Sequence, residues 1–239
     1  MTEFRPHDVE WNEKKVIDFW NNRPTPESFG GTAARGIIAL VKKYGPIKGV
    51  ALDYGCGRGD FLKELFNEDV RVVAADNSGG VLRGVKEQFG DKVSEVILIE
   101  KPPLKLKDET ADYIFFNAVV EHLLPDTLEE TLKELKRLLK KGGRVVVTCP
   151  YRENLNKYKT ICPDCGGKFH YMQHVGSYSE ETLAALMERH GFTTIASEGS
   201  WLDGDTSIEG RIKNLYHAFK RKMGRGQKFP HLIYLGQKK

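Results

Sequence analysis

A glycine-rich turn is the first feature of the sequence whose residue types and spacing suit ligand binding. Residues 53–59 are Asp-Tyr-Gly-Cys-Gly-Arg-Gly, and they follow the short apolar run Val50–Leu52. Glycine lets the backbone turn sharply and lets a ligand approach without obstruction by a Cβ atom. The N–H groups that open the next helix suit a negatively charged ligand group. We therefore predict a ligand-binding turn here.

An acidic residue ends the next apolar run of the chain. Asp76 follows Val70–Ala75 and precedes Asn77. A carboxylate at such a strand end can accept hydrogen bonds from both hydroxyls of a ribose. The alternative is that Asp76 only caps the helix that follows. A dinucleotide-binding turn would carry its third glycine at position 60, where this chain has Asp60.

A second group of chemically active residues forms the pattern C-x2-C-x4-H-x3-H. Thiolates and imidazoles are the ligands that zinc prefers, and a closed site with four of them is usually structural. Two histidines four residues apart share a face if they lie on a helical turn. The pattern predicts a structural zinc site formed by Cys162, Cys165, His170 and His174. The alternatives are a metal that touches substrate, a metal-free turn with reduced thiols, or a redox pair.

Strands and helices must position these residues, and the sequence predicts that the two alternate. Helices are predicted near Val9–Trp20 and Glu27–Tyr44, before the alternation begins. Apolar runs then alternate with helical spacing up to Thr148, and the alternation resumes after Ser179. This order is typical of a parallel sheet covered by helices. Residues 150–178 show no clear periodicity and are predicted to be an insertion.

Several motifs together resemble those of a known family. The glycine turn and Asp76 resemble the first motifs of class I S-adenosylmethionine-dependent methyltransferases. Ala111–Asn117 is similar to the fourth-strand motif, and Val119–Leu123 to the "EHL" ending of the small-molecule branch. Gly142-Gly143 resembles the turn before the fifth strand. The similarity covers about residues 48–150 closely and 179–239 loosely.

The resemblance implies an α/β fold with a doubly wound, mostly parallel seven-stranded sheet. It implies one domain over residues 1–239, with an N-terminal helical cap (1–45) and a zinc-knuckle-like insertion (150–178) after the fifth strand. It also implies binding of S-adenosylmethionine, with S-adenosylhomocysteine as product. The implied cofactor-binding residues are Asp53, Gly55, Cys56, Gly57, Asp76, Asn77, Glu100, Lys101 and Asn117.

His122 is the candidate catalytic residue, because it follows the fourth strand of the resemblance. A sulfonium methyl group is already activated, so the protein mainly aligns the acceptor and removes a proton. His122 is predicted to act as a base or to orient the acceptor; the alternative is a structural histidine. No D/N-P-P-Y/F sequence follows Asn117, which argues against the amino-methylating nucleic-acid branch. Cys149-Pro150 follows the fifth strand, so the cytosine-C5 pattern does not match.

The acceptor is predicted from the distribution of charge. Arg211–Lys239 contains nine Lys or Arg and no Asp or Glu, within a chain of net charge +4. Such a basic end suits an anionic small molecule, a nucleic acid or a membrane surface, or it is only a solvated helix face. The preferred interpretation is methylation of oxygen or nitrogen in a small acceptor, for which an anionic molecule would suit the basic end. The alternatives are an RNA methyltransferase that uses the insertion and the basic helix, and a non-catalytic binding module.

Other classes of protein are disfavoured by composition. Hydrophobic residues make up 40% and charged residues 29% of the 239 residues, which is ordinary for a globular domain. No apolar run approaches the roughly 20 residues that cross a bilayer. The polar stretch Met1–Asn22 does not resemble a secretory signal. Four cysteines do not suggest a disulfide framework, so a reducing cytoplasm is expected, and the sequence does not indicate an oligomeric state.

The acceptor pocket is predicted between the glycine turn, His122, the insertion and the N-terminal helices. Ligands of a parallel sheet lie outside the carboxyl ends of its strands. Only the N-terminal segment and the insertion lie outside the strand–helix core and are available to cover that edge. The N-terminal segment supplies four aromatic side chains for packing, Trp11, Phe19, Trp20 and Phe29.

Overall fold

The computed structural model describes residues 4–22, 31–202 and 230–239. Its strands are β1 His7–Asp8, β2 Lys48–Tyr54, β3 Asp69–Asp76, β4 Val93–Leu98, β5 Ala111–Asn117, β6 Leu139–Pro150, β7 Lys159–Ile161, β8 Gly167–His170, β9 Phe192–Ser200 and β10 His231–Lys238. Its helices are α1 Glu13–Asn22, α2 Gly31–Lys42, α3 Leu62–Leu65, α4 Gly79–Phe89, α5 Pro125–Leu138 and α6 Glu180–Arg189. Short 3-10 turns cover Gly90–Lys92 and Val120–His122.

Seven strands form the main sheet, in the order β4-β3-β2-β5-β6-β10-β9. Strands β2 to β6 pair in parallel, and β10 runs antiparallel to both β6 and β9. Leu52 of β2 lies opposite Val73 of β3 and Ile114 of β5. This register brings the carboxyl ends of β2, β3 and β5 to one edge. The predicted α/β fold with a mostly parallel seven-stranded sheet is confirmed.

Helices cover both faces of the sheet, because the strands are apolar on both sides. Successive residues of a strand point to opposite faces, so Leu52 belongs to one core and its neighbour Ala51 to the other. On the first face α5 and α6 contribute buried side chains such as Leu132 and Leu183. On the second face α2, α3 and α4 pack together. The sheet is therefore doubly wound.

The helix ends show how local sequence positions these layers. Ser78 caps α4 by accepting a hydrogen bond from the amide of Val81 at 3.4 Å. Ser179 and Thr182 form a capping box at the start of α6. In contrast, α5 begins at Pro125 and has no side-chain cap.

A second, three-stranded sheet joins the N-terminus to the insertion, in the order β1-β8-β7. His7 of β1 pairs with Gly167 of β8. Trp11 and Phe19 lie edge-to-face with each other and with Phe169, at centroid distances of 5.7, 6.0 and 6.4 Å. α1 and the insertion therefore pack as one unit.

The predicted N-terminal cap and the predicted basic helix lie at the two ends of the chain. Within the cap at 1–45, α2 buries Ile37 and Val41 in the second core, whereas β1 and α1 contact the insertion. The predicted basic helix lies outside the described residues, as does Phe29. In the described part of the chain, no helix is both long and apolar enough to cross a membrane.

Candidate functional site

The glycine turn and Asp76 meet at the carboxyl edge of the sheet. The Asp76 carboxylate accepts hydrogen bonds from the Gly57 amide and the Ser78 amide, both at 2.9 Å. The amides of Gly55 and Cys56 both donate to the Ala75 carbonyl, at 2.8 and 2.9 Å. The two motifs, 19 positions apart at Gly57 and Asp76, thus form one surface. Burial raises the pKa of Asp76, while these amides oppose that rise.

Two of the three glycines in this turn serve different purposes. Gly55 has φ +85°, and a Cβ there would lie 2.5 Å from Val119 Cγ2. Gly57 has φ +49°, and a Cβ there would meet no atom of the described residues within 4 Å. Gly55 therefore permits close packing on the segment after β5, whereas Gly57 borders open space. Cys56 between them is buried, which raises the pKa of its thiol.

Two buried polar atoms at this edge lack hydrogen-bond partners among the described residues. They are Asp53 Oδ2 at the end of β2 and Asn117 Nδ2 at the end of β5. Burial, and secondarily the nearby Asp76, raises the pKa of Asp53 to about 8. The Asn117 amide is oriented by the Thr148 hydroxyl, which donates to Asn117 Oδ1 at 3.1 Å. Unsatisfied buried polar groups are uncommon, so a polar ligand at this edge fits them.

The loop after β4 carries the last predicted cofactor residues. Glu100 and Lys101 are exposed, as is Asn77 after β3. The loop is anchored from inside by α5, where Glu134 accepts a hydrogen bond from the Leu104 amide at 2.7 Å. Arg137 binds both oxygens of Glu134, at 2.6 and 2.8 Å, and its guanidinium also donates to loop carbonyls. Glu100 and Lys101 therefore extend from a held loop into solvent.

His122 lies where the 3-10 turn, α1 and the insertion meet. Its ring is edge-to-face with Trp20 at 4.8 Å and with His174 at 4.7 Å between centroids. Its backbone carbonyl accepts a hydrogen bond from Gln173 Nε2 at 3.0 Å. The segments that the sequence predicts around the acceptor thus converge on His122.

The four predicted zinc ligands do not come together. His170 belongs to β8, which pairs with β7 as an extended strand and not as the helical turn assumed from the spacing. Gly167, beside the cysteines, and His170 are three positions apart along β8, which is about 10 Å of extended chain. The prediction of one tetrad is therefore wrong in geometry: Cys162 and Cys165 lie at one end of β8, and His170 and His174 at the other.

The cysteine pair occupies a tight turn between β7 and β8. The Gly166 amide donates to the Cys162 carbonyl at 2.9 Å, and the Cys162 amide to the Gly167 carbonyl at 2.8 Å. Amide N–H groups of the turn also donate to the Cys162 sulfur, which lowers the pKa of that thiol. His7 Nε2 and Cys165 Sγ lie 3.6 and 3.4 Å from the point where a Cβ on Gly167 would stand. A histidine from β1 therefore borders the cysteine turn, a contact that the sequence analysis missed.

The histidine pair instead contacts carboxylates that the sequence analysis also missed. Glu153 Oε1 lies 3.4 Å from His170 Nε2, and Glu153 Oε2 pairs with His174 Nδ1. Glu121, at 1% exposure, lies close enough to His122 and His174 for one ligand atom of each to fall within 4.8 Å of the others. Glu121 was visible only as part of the "EHL" motif, and no local signal marks Glu153.

Comparison with known proteins identifies the class. A family model described as a methyltransferase domain matches residues 29–197, which is more than half of the chain. The chain therefore belongs to this family of methyltransferase domains. The predicted class of enzyme is confirmed.

Three similar proteins illustrate the range of the class. Phosphoethanolamine N-methyltransferase 1 of Triticum aestivum is 26% identical over 129 residues, which are 52% of this chain and 26% of that protein. The tRNA (carboxymethyluridine(34)-5-O)-methyltransferase of Saccharomyces cerevisiae is 28% identical over 119 residues, 47% of this chain and 39% of that protein. This chain thus spans less than half of either relative.

The third is a crystal structure, 1,6-didemethyltoxoflavin-N1-methyltransferase of Burkholderia thailandensis with bound 1,6-didemethyltoxoflavin and S-adenosylhomocysteine. It superposes with a TM-score of 0.63 at 17% identity, covering 98% of this chain and 93% of that one. At this identity the likeness shows that the two chains share a fold.

Proposed function

We propose that this chain transfers a methyl group from S-adenosylmethionine to an oxygen or nitrogen atom of a small acceptor. The observation that carries the proposal is the hydrogen bond from the Gly57 amide to Asp76, beside the open space that Gly57 borders. It joins the glycine turn and the strand-end carboxylate at the edge where parallel sheets bind ligands. The family match supplies the reaction class.

The residues at this edge fit the cofactor. Each Asp76 oxygen accepts one backbone hydrogen bond and keeps a second lone pair for a ribose hydroxyl. Asn117 Nδ2 offers a donor without a partner among the described residues. Asp53, protonated at neutral pH by its raised pKa, braces the turn without adding a second negative charge beside Asp76. The proposed binding set is the one that the resemblance implies, with Glu100 and Lys101 reaching the adenine side.

When bound, the cofactor would supply an activated methyl group. The acceptor's lone pair would form the new bond to the methyl carbon, and the C–S bond would break with its electron pair left on sulfur. The chain's own part is alignment and removal of the acceptor's proton. His122 is proposed to orient the acceptor or to take that proton, since it lies five residues after β5 ends. Trp20 and Gln173 of the insertion contact it, and this cover would limit the access of water to the acceptor.

An RNA acceptor is the second candidate, favoured by the similarity to a tRNA methyltransferase. Residues 211–229 of the basic segment on which that candidate depends lie outside the described residues. A third interpretation, a non-catalytic binding module, leaves no reason for Gly57 to border open space beside Asp76. A small acceptor is favoured because the candidate groups are enclosed by α1 and the insertion, where a polymer has little access.

The proposed zinc is reassigned to the cysteine turn. Cys162 and Cys165 are proposed to bind it, and His7, which borders the turn, would have to move toward the two sulfurs to become a third ligand. The His7 Nδ1 atom lies 2.8 Å from the Arg5 carbonyl, which can only accept, so Nδ1 carries the hydrogen and Nε2 keeps its lone pair. None of the four cysteines forms a disulfide, which supports the proposed reducing, cytoplasmic location.

The experiment that tests the function uses S-adenosylmethionine labelled in its methyl group. The full chain is incubated with the label and a cell extract, which is then separated into RNA, protein and small molecules. Label in the small-molecule fraction, absent when Asp76→Asn protein is used, supports the proposal. Label in RNA replaces it with the second candidate, and a protein that binds S-adenosylhomocysteine but labels nothing is a binding module.

A further inference from the structure

The segment after β5 and the insertion enclose a cluster of ionisable side chains apart from the cysteine turn. Glu121, His122 and His174 are at most 9% exposed. One possible ligand atom from each lies within 4.8 Å of the other two. Buried charged groups are normally paired or coordinate metals.

Glu121 has the environment of a metal ligand. Its Oε2 atom is buried without a hydrogen-bond partner among the described residues. An unpaired carboxylate in the interior carries a desolvation penalty of several kcal/mol. The backbone fixes its position, because the amides of Val175 and Gly176 donate to the Glu121 carbonyl at 2.8 and 3.0 Å. The carboxylate is therefore held in place and needs a cation or a proton.

His174 is oriented in the way that metal-binding histidines are. Its Nδ1 atom pairs with a carboxylate oxygen of Glu153. With Nδ1–H donated to that carboxylate, Nε2 keeps its lone pair, and this carboxylate–histidine arrangement accompanies most histidine metal ligands. His174 can thus present Nε2 to an ion between itself and Glu121.

His170 does not fit the same role, although it also lies beside Glu153. Its Nδ1 atom accepts from the amides of Met172 and His174, both at 3.3 Å. Because Nδ1 accepts, Nε2 carries the hydrogen in the neutral ring, and it lies 3.4 Å from Glu153 Oε1 without forming a hydrogen bond. With Nδ1 engaged by two amides and a hydrogen on Nε2, His170 has no free lone pair for an ion, which leaves His174, His122 and Glu121 as ligands.

We propose that Glu121, His122 and His174 bind one Zn²⁺ ion, with Glu153 orienting His174. Two imidazoles and one carboxylate are a ligand set of zinc sites that keep a fourth position open. Zinc bonds of about 2.1 Å place tetrahedral ligands about 3.4 Å apart, and the candidate atoms, which all lie within 4.8 Å of one another, can reach that spacing by small side-chain movements.

The site would act on the acceptor of the proposed function. Val119, two residues before Glu121, packs against Gly55 of the glycine turn. The site therefore lies on the same short segment as a residue that contacts the glycine turn. We assign to the open position of the metal an acceptor that presents an oxygen or nitrogen ligand atom. This assignment rests on the proposed function. In that arrangement His122 orients the acceptor through the ion.

The absorption spectrum of bound Co²⁺ distinguishes this site from the cysteine turn, because among these ligands only thiolates add intense near-ultraviolet charge-transfer bands. The full chain, freed of metal, is titrated with Co²⁺ and then Zn²⁺ while absorption is followed. We expect two sites, one of which shows d–d bands without thiolate bands. Glu121→Gln and His174→Ala should each abolish that site, and Glu153→Gln should weaken it about 10- to 100-fold.

His170→Gln is the matched control and should change the affinity less than threefold. Calorimetric titration with S-adenosylhomocysteine shows that each variant is folded, and it also keeps failure of the proposed function distinct from failure of the metal site. The proposal is overturned if only the thiolate-bearing site binds cobalt. It is also overturned if Glu121→Gln binds like the unchanged protein while His170→Gln loses the metal.

Discussion

Trp20 and Gln173 are 153 positions apart, yet Trp20 Nε1 donates a hydrogen bond of 2.8 Å to Gln173 Oε1. The same amide uses its nitrogen to bind the His122 carbonyl at 3.0 Å. One side chain thus connects α1, the insertion and the turn after β5. This connection places the N-terminal helix over the candidate acceptor site.

Trp20→Phe should loosen that cover while leaving the cofactor edge intact. The variant keeps a ring against His122 but leaves Gln173 Oε1 without its donor, a loss of about 1–3 kcal/mol. We expect α1 to be cut faster in limited proteolysis and methyl transfer to the extract to fall, with unchanged affinity for S-adenosylhomocysteine. Deletion of residues 1–22 should reduce methyl transfer in the same way but to a larger extent.

The control for this prediction is Trp11→Phe, which alters packing on Phe169 at 6.0 Å but does not touch the hydrogen bond. It should transfer methyl groups nearly as well as the unchanged chain. Full transfer by the protein lacking residues 1–22 would show that α1 is not part of the site.

Asp76→Ala should weaken binding of S-adenosylhomocysteine by about 1.5–3 kcal/mol, since hydrogen bonds to charged groups contribute about this much. Asp112→Ala is the matched control. Asp112 also accepts from a backbone amide, that of Val50 at 2.8 Å, but lies at the opposite end of β5. Isothermal calorimetry compares the affinities of the two variants for S-adenosylhomocysteine. Equal affinities would show that Asp76 does not bind the ribose hydroxyls.

Asp53 should make stability depend on pH. Its pKa is about 8 in the folded protein and about 3.9 in an unfolded chain, so the folded state binds more protons between these values. Stability from this group is full below about pH 4 and is lost as the pH rises to about 8. The free energy of unfolding should fall by at most about 1.4 kcal/mol per pH unit in that window.

Asp53→Asn isolates this contribution because asparagine mimics the protonated acid. Urea unfolding at pH 5, 6 and 7 measures both proteins. The difference in unfolding free energy should move steadily in favour of the variant as the pH rises. Parallel pH profiles for the two would show that Asp53 is already ionised in the folded state.

Arg137→Met should destabilise the fold by about 3–5 kcal/mol, because it leaves the buried Glu134 carboxylate without its cation. The loop that Glu134 holds through Leu104 should loosen, so cofactor affinity should fall as well. Lys63→Met removes an exposed pair with Asp60 and should change stability by at most about 0.5 kcal/mol. Thermal unfolding of the two variants distinguishes these outcomes.

Zinc at the cysteine turn should be lost in Cys162→Ser and weakened in His7→Ala. Elemental analysis of protein purified without chelator measures the zinc content of each variant and compares it with that of the unchanged chain. His170→Ala should keep this zinc, because β8 carries His170 away from the turn. Loss of the thiolate-bound metal in His170→Ala and not in His7→Ala would restore the original tetrad.

The sequence by itself determined the features that depend on neighbours within a few residues. The glycine turn at 53–59, the apolar strands and the strand-end Asp76 all follow from local patterns, and the structure places them as predicted. The order of strands and helices also followed, because both faces of each central strand are apolar. These patterns were enough to predict the fold and the edge of the sheet at which cofactor binding is proposed.

Only the tertiary structure decided how the metal-binding side chains group. Residues 167–170 are extended because β8 pairs with β1 and β7, contacts that bring in His7 from about 160 positions away. That pairing separates the cysteines from His174, which lies beside Glu121 and Glu153 instead. Spacing along the chain does not encode such pairings, since they depend on which distant segments bury their surfaces together.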